Sequence, residues 1–204
     1  MQCKCTRIKH LNEEFNYKYL HALHYFYSRL TMIYVRHILL LFFLLDNFHD
    51  ILCKNDSDRD ALLSFKCQVS DPKNVLSRWS SNPNHCTSYG ITCSKVGKKV
   101  KSLTLPGLGL SGKLPPQLSN LTLLHSLDLS NNYFHGQIPL QFGHLSLINV
   151  IELPSNNLRG TLPPQLDHLH RLQILDFSVN NLTRRIPPSF GNLSSLKNLS
   201  LARN

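Results

Sequence analysis

Apolar residues recur through the second half of the chain at a fixed interval. The segments LTLPGLGLSGKLP, LDLSNNYFHGQIP, IELPSNNLRGTLP, LDFSVNNLTRRIP and LSLARN start at Leu103, Leu127, Ile151, Leu175 and Leu199, each 24 residues after the one before. Every apolar column keeps register, among them Leu105/Leu129/Leu153/Phe177/Leu201 and Leu110/Phe134/Leu158/Leu182. Leu114, Ile138, Leu162 and Ile186 each precede a proline. One such unit cannot bury its own apolar side, whereas stacked units bury theirs against each other, which predicts a solenoid. The alternating L-x-L core predicts one short strand per unit, and strands of successive coils pair in parallel. The fold class expected is therefore α/β, with a parallel strand per 24-residue repeat.

Asn132, Asn156, Asn180 and Asn204 recur just after each strand. A carboxamide both donates and accepts, so a ladder of them can satisfy backbone groups where strand pairing stops. Leu108 stands at that position in the first coil, as suits a coil with no predecessor. Before the repeats, Ser57 and Asp60 mark a helix start, and Leu62, Leu63, Phe65 and Val69 supply an apolar side for it.

The first fifty residues carry an address. Met32–Leu45 reads MIYVRHILLLFFLL, with Arg36 and His37 ahead of an eight-residue apolar run. That run is shorter than the roughly 20 residues a membrane-crossing helix needs, so residues 32–54 are expected to be a signal peptide, with a type II anchor as the alternative. Residues 1–31 are expected to be an extension upstream of a true start at Met32. Secretion makes Cys86 and Cys93 the natural disulfide. Cys67 either meets Cys53 or is a buried apolar residue, and the second is the preferred expectation. No second ligand pair accompanies these cysteines, so no metal and no other cofactor is expected.

The formal net charge of +10 is spread out: seven Lys/Arg against four acids before residue 55, fifteen against eight after it. Only Lys95, Lys98, Lys99 and Lys101 form a dense run, and no aromatics interleave with it, which argues against nucleic acid. A solvated loop is the expectation, with contact to an acidic cell-wall polymer as the alternative. Five N-x-S/T sequons, at Asn55, Asn120, Asn181, Asn192 and Asn198, fall outside the inward leucine columns and predict glycans on the flanks.

The residues between the inward leucines form the exposed strand face. Asp128, Glu152 and Asp176 share one repeat position, with Ser126, Ser130 and Ser178 beside them. Neighbouring strands place like charges about 5 Å apart, a repulsion that a Lys- or Arg-bearing ligand would relieve. A hydrated acidic strand face is the expectation, and use of this row as a ligand site is the hypothesis set beside it. An open face does not split two carboxyl pKa values or exclude water, and His125, His144, His168 and His170 have no nucleophile motif near them, so no catalytic residue is expected.

The pattern LxxLxLxxNxLxGxIPxxLxxL resembles plant-type leucine-rich repeats. DSDRDALLSFKCQVSDPKNVLSRWSS, followed by Cys86 and Cys93, resembles the amino-terminal cap of plant leucine-rich-repeat receptor-like serine/threonine kinases. The resemblance covers residues 56–204, with a cap over 55–98 and about 4.5 coils over 99–204. It implies a helical, disulfide-bonded cap on a leucine-rich-repeat solenoid, acting as the ligand-recognition module of a receptor whose membrane helix and kinase lie downstream. It implies a peptide or protein ligand, a co-receptor ectodomain, and the plasma membrane's outer side or the apoplast. Two departures stand out: Ser88 where that family has Trp, implying a looser cap, and Arg184 in place of the glycine seen at Gly112, Gly136 and Gly160, implying a distorted turn. The alternatives are a secreted inhibitor resembling the polygalacturonase-inhibiting proteins, or a truncated receptor fragment, since no carboxy-terminal cap follows the last strand.

Overall fold

The computed structural model describes residues 57–183 and 185–204. The leader, the signal-peptide segment, Asn55, Cys53 and Arg184 lie outside the described residues.

A helix, α1 (Ser57–Gln68), opens the described part, followed by a short strand β1 (Val69–Ser70) and a single helical turn α2 (Arg78–Ser81). Strand β2 (Ile91–Cys93) then leads into the coils. Each coil contributes one strand to a first sheet: β3 (Val100–Thr104), β5 (Ser126–Asp128), β7 (Val150–Glu152), β9 (Ile174–Asp176) and β11 (Asn198–Ser200). A second strand per coil, β4 (Ser111–Lys113), β6 (Tyr133–Gly136), β8 (Asn157–Gly160) and β10 (Asn181–Leu182), builds another sheet. The first sheet runs β2-β3-β5-β7-β9-β11 and the second β1-β4-β6-β8-β10, with the repeat strands parallel throughout. The cap closes both by antiparallel pairing, β2 on β3 and β1 on β4. The sequence pattern anticipates the first sheet and is silent on the second.

A proline-led 3₁₀ segment returns the chain in each coil: Pro116–Asn120, Leu140–His144, Pro164–His168 and Pro188–Asn192. Proline fixes φ for the first residue and gives up an N–H that the turn does not need. Leu118, Phe142, Leu166 and Phe190 point inward from these turns and meet the strand leucines in one continuous core.

The asparagine column is fully engaged. Asn156 Oδ1 accepts from Phe134 N at 2.9 Å, while its Nδ2 donates to Leu129 O and Leu153 O at 3.0 and 3.2 Å. Asn132, Asn180 and Asn204 repeat the arrangement in their own coils, and Asn132 Oδ1 takes the N–H groups of both Leu108 and Leu110. The residue before each position of this column, Leu108 in the first coil and asparagine in the others, adopts the left-handed conformation: Gly107, Asn131, Ser155, Val179 and Arg203 have φ between 54° and 66°. Glycine and asparagine accept this readily; the β-branched Val179 does not.

Phe65 of α1 joins cap to coils, its ring centroid 5.9 Å from both Trp79 and Phe134. Leu62, Phe65 and Val69 are buried as expected, with Val69 in β1 rather than the helix; Leu63 is half-buried. The Cys86–Cys93 disulfide forms, with 5.5 Å between the Cα atoms. Cys67 departs from expectation. It is exposed and disulfide-bonded. Two residues beyond Phe65, at about 100° per helical residue, it points away from the core, so it could not serve as a buried apolar side chain. Ser88 is buried, and its hydroxyl has no hydrogen-bond partner.

Candidate functional site

Strand pairing sets the outer face of the first sheet. The register aligns Ser102, Ser126, Val150, Ile174 and Asn198 in one row, Leu103 through Leu199 in the inward row, and Thr104, Asp128, Glu152, Asp176 and Ser200 in the next. The three acidic residues thus occupy consecutive strands, bordered by a hydroxyl at either end, at a strand spacing of about 4.8 Å. All three are half-exposed. Ser130 and Ser178 follow the row in the loops beyond β5 and β9.

The carboxylates differ in how they are held. Asp128 Oδ1 accepts from Ser130 N at 3.0 Å and Asp176 Oδ1 from Ser178 N at 2.8 Å. These are side chain to backbone links two residues on, the usual way an aspartate fixes itself at a strand end. In the middle coil the equivalent residue is Pro154, which has no N–H to give. Glu152 therefore lacks the local tether of its neighbours. Burial among the strands raises its carboxyl above the ordinary value, and the adjacent Asp128 and Asp176 add to the rise in that order. The row is thus a pair of hydrogen-bonded aspartates flanking a longer, untethered glutamate whose charged form is disfavoured.

Along the start of the strands runs a second polar row: Lys101, His125, Asn149, Gln173 and Lys197, joined by backbone bonds from each coil to the next. Lys197 Nζ donates to Gln173 Oε1 at 3.3 Å. The face accordingly carries basic groups at its edge and acids three residues further along.

The lysine run is only partly a free surface. Lys99 Nζ lies 3.0 Å from Asp58 Oδ1, and the fully buried Asp58 also accepts from Val100 N at 2.8 Å. One lysine of the four thus clamps the cap helix to β3, while Lys95, Lys98 and Lys101 remain exposed. The sequence marks neither partner, since the two are 41 residues apart. Among the described residues, the metal-ligand atoms that cluster are those of His85, Cys86 and Cys93. Both sulfurs are consumed in the disulfide, and His85 Nε2 sits 3.0 Å from Lys98 O.

Of the sequon asparagines, Asn120 and Asn192 end 3₁₀ segments and Asn181 lies on β10, all exposed. Asn198 is different. It lies on β11, in register with Ile174, and so on the outer face of the first sheet rather than on a flank. No helix among the described residues is long and apolar enough to cross a membrane.

The leucine rich repeat N-terminal domain model matches residues 55–94, and the Leucine Rich Repeat model matches 123–145 and 171–193. A probable LRR receptor-like serine/threonine-protein kinase of Arabidopsis thaliana is 44% identical over 81 residues, 39% of this chain but 8% of that protein. Among solved structures, PEPR1-AtPEP1 aligns at TM-score 0.65 and 34% identity over 69% of this chain and 20% of the other. A plant ice-binding protein aligns at TM-score 0.67 and 30% identity, over 74% of this chain and 49% of that one. The Arabidopsis receptor kinase HAESA ectodomain, solved with an N-terminally extended IDA peptide hormone, aligns at TM-score 0.53 and 31% identity over 73% and 29%. The chain therefore spans under a tenth of the length of curated relatives such as that kinase.

Proposed function

The chain is a leucine-rich-repeat protein related to plant receptor-like kinases, and on that footing we propose that it is an extracellular ligand-recognition module that binds a peptide or protein through the outer face of its first sheet. The observation that carries this reading is the register of Asp128, Glu152 and Asp176 on consecutive strands, a row of anions that a cationic ligand would neutralise. The HAESA ectodomain, on the same architecture, is solved with a peptide hormone. A main chain in extended conformation matches the sheet's row geometry, and Lys or Arg side chains spaced along it would meet the carboxylates. Glu152, raised and untethered, is the group that gains most from such a partner.

Signalling belongs to the wider reading. The matches to kinases fall on the leucine-rich-repeat part, so phosphoryl transfer, the membrane helix and pairing with a co-receptor ectodomain are proposed for the whole protein rather than for these residues. Location on the outer side of the plasma membrane is proposed on the same kinship and on the expected signal peptide over residues 32–54.

The test replaces Asp128, Glu152 and Asp176 together by Asn, Gln and Asn and measures binding of Lys- and Arg-bearing peptides by calorimetry at low and physiological salt. A loss of tenfold or more, with the salt dependence flattened, supports the site. Unchanged affinity ends it. Sequencing the transcript beyond Asn204 tests the receptor reading independently: an apolar span of roughly 20 residues and a kinase signature are expected.

A further inference from the structure

We infer that Asn198 carries an N-linked glycan that stands on the ligand face itself and screens the carboxy-terminal end of the acidic row. This rests on the proposed use of that face, and on three observations of geometry.

First, Asn198-Leu199-Ser200 is a complete sequon whose middle residue turns inward, so that Asn198 and Ser200 both project from the outer face. Second, Asn198 extends the row Ser102, Ser126, Val150 and Ile174. Ser126, Val150 and Ile174 stay half-exposed with coils on both sides of them, so a side chain at this row position faces solvent whatever follows β11. Third, the Asn198 side chain has no structural duty that a sugar would disturb: the residue is exposed, and its bond to the sheet runs from its backbone N–H to Gln173 O at 3.0 Å.

The position relative to the acids follows from the pairing. Ser200 pairs with Asp176, so Asn198 lies one strand across and two residues back from that aspartate, about 8 Å away at ordinary sheet spacings. A branched oligosaccharide is wider than a strand spacing, so one rooted here overhangs Asp176 and, less, Glu152, while Asp128 lies two strands beyond Asp176 and stays open. The sugars on Asn120, Asn181 and Asn192 leave this face clear, since those asparagines stand on the 3₁₀ segments and the second sheet. The Asn198 glycan would thus hold a ligand to the coils that precede β9 and set the end of its footprint.

The experiment needs no ligand. The full chain is secreted from plant cells, and occupancy is read by enzymatic deglycosylation in ¹⁸O water with peptide mapping, which marks each sugar-bearing asparagine as a labelled aspartate. The intact glycoprotein and the Ser200→Ala variant, which destroys the sequon while keeping Asn198, are then treated with a carbodiimide and a small amine, and carboxyl modification is quantified by residue. Occupied Asn198, with Asp176 modified several-fold more slowly than in the Ser200→Ala protein and Asp128 modified at the same rate in both, is expected. Asn198→Gln serves as a second variant. An unoccupied Asn198 overturns the inference, as does an equal Asp176 rate with and without the sugar. The ligand reading fails separately, through unchanged peptide affinity in the triple carboxylate variant.

Discussion

Exchanging residues within the left-handed column should move stability in opposite directions at two equivalent sites. Val179 holds φ 54° and Asn131 holds φ 55°, two coils apart, with the same backbone bond from each N–H to the following coil: Val179 to Ala202 O at 2.8 Å, Asn131 to Pro154 O at 2.9 Å. A non-glycine residue in this region costs about 1–3 kcal/mol, worst for a branched Cβ and least for asparagine. Val179 is 41% exposed, so Val179→Asn gives up burial worth about 0.7 kcal/mol, roughly half that of a fully buried valine. Relief of about 1.5 kcal/mol then leaves a net gain of about 0.5–1 kcal/mol. Asn131 is exposed, so Asn131→Val gains little burial and should lose about 1.5 kcal/mol. Urea unfolding followed by circular dichroism reads both as midpoint shifts at constant m, and thermal unfolding should move by about 2–4 °C per kcal/mol. A midpoint that falls for Val179→Asn, or does not fall for Asn131→Val, would refute the idea that backbone handedness rather than side-chain contact sets the preference in this column.

Two further outcomes follow from the cap and the acidic row. Ser88→Ala should raise stability by up to about 1 kcal/mol, since it deletes a buried hydroxyl with no partner; a fall in the urea midpoint would show that the hydroxyl is in fact satisfied. Glu152→Gln should raise the melting temperature at neutral pH, with the difference shrinking to nothing as pH drops below the ordinary carboxylate range. The folded-state value lies above the unfolded one, so wild-type stability is lost as pH rises between the two, and glutamine removes that loss. A pH-independent difference between the two proteins would refute it.

The period of 24 makes the coils, the inward columns and the acidic register legible in the residues alone, because a parallel stack repeats one side-chain geometry at a fixed offset. The same offset, added to Ile174, places Asn198 on the outer face of the first sheet, a step that the expectation of flanking glycans omits. Cys67 is also within reach of the sequence, since helical spacing from Phe65 turns it outward. Other features carry no local signal. Asp58 reads as one more acid in a charged helix start, and only the folded cap brings it to Lys99 and the Val100 N–H. Pro154 shares its column with Pro106, Ser130, Ser178 and Ala202 and so reads as one more tolerated residue; its effect, an untethered Glu152, depends on a hydrogen bond that Ser130 and Ser178 make and it cannot. The second sheet arises from residues whose pattern is too short to separate from a turn.

The asparagine ladder has a direction. Asn132 binds Leu105 O, Leu108 N and Leu110 N of the coil before it, and Asn156 and Asn180 reach back in the same way. The backbone groups that these side chains reach in the preceding coil are thus satisfied only once the following coil is in place. On a ribosome, where the chain emerges from its amino terminus, a coil has its full set of hydrogen bonds only after the next 24 residues have appeared. Folding therefore advances one coil behind synthesis, and the newest coil always waits, open at its bend, for its successor to close it.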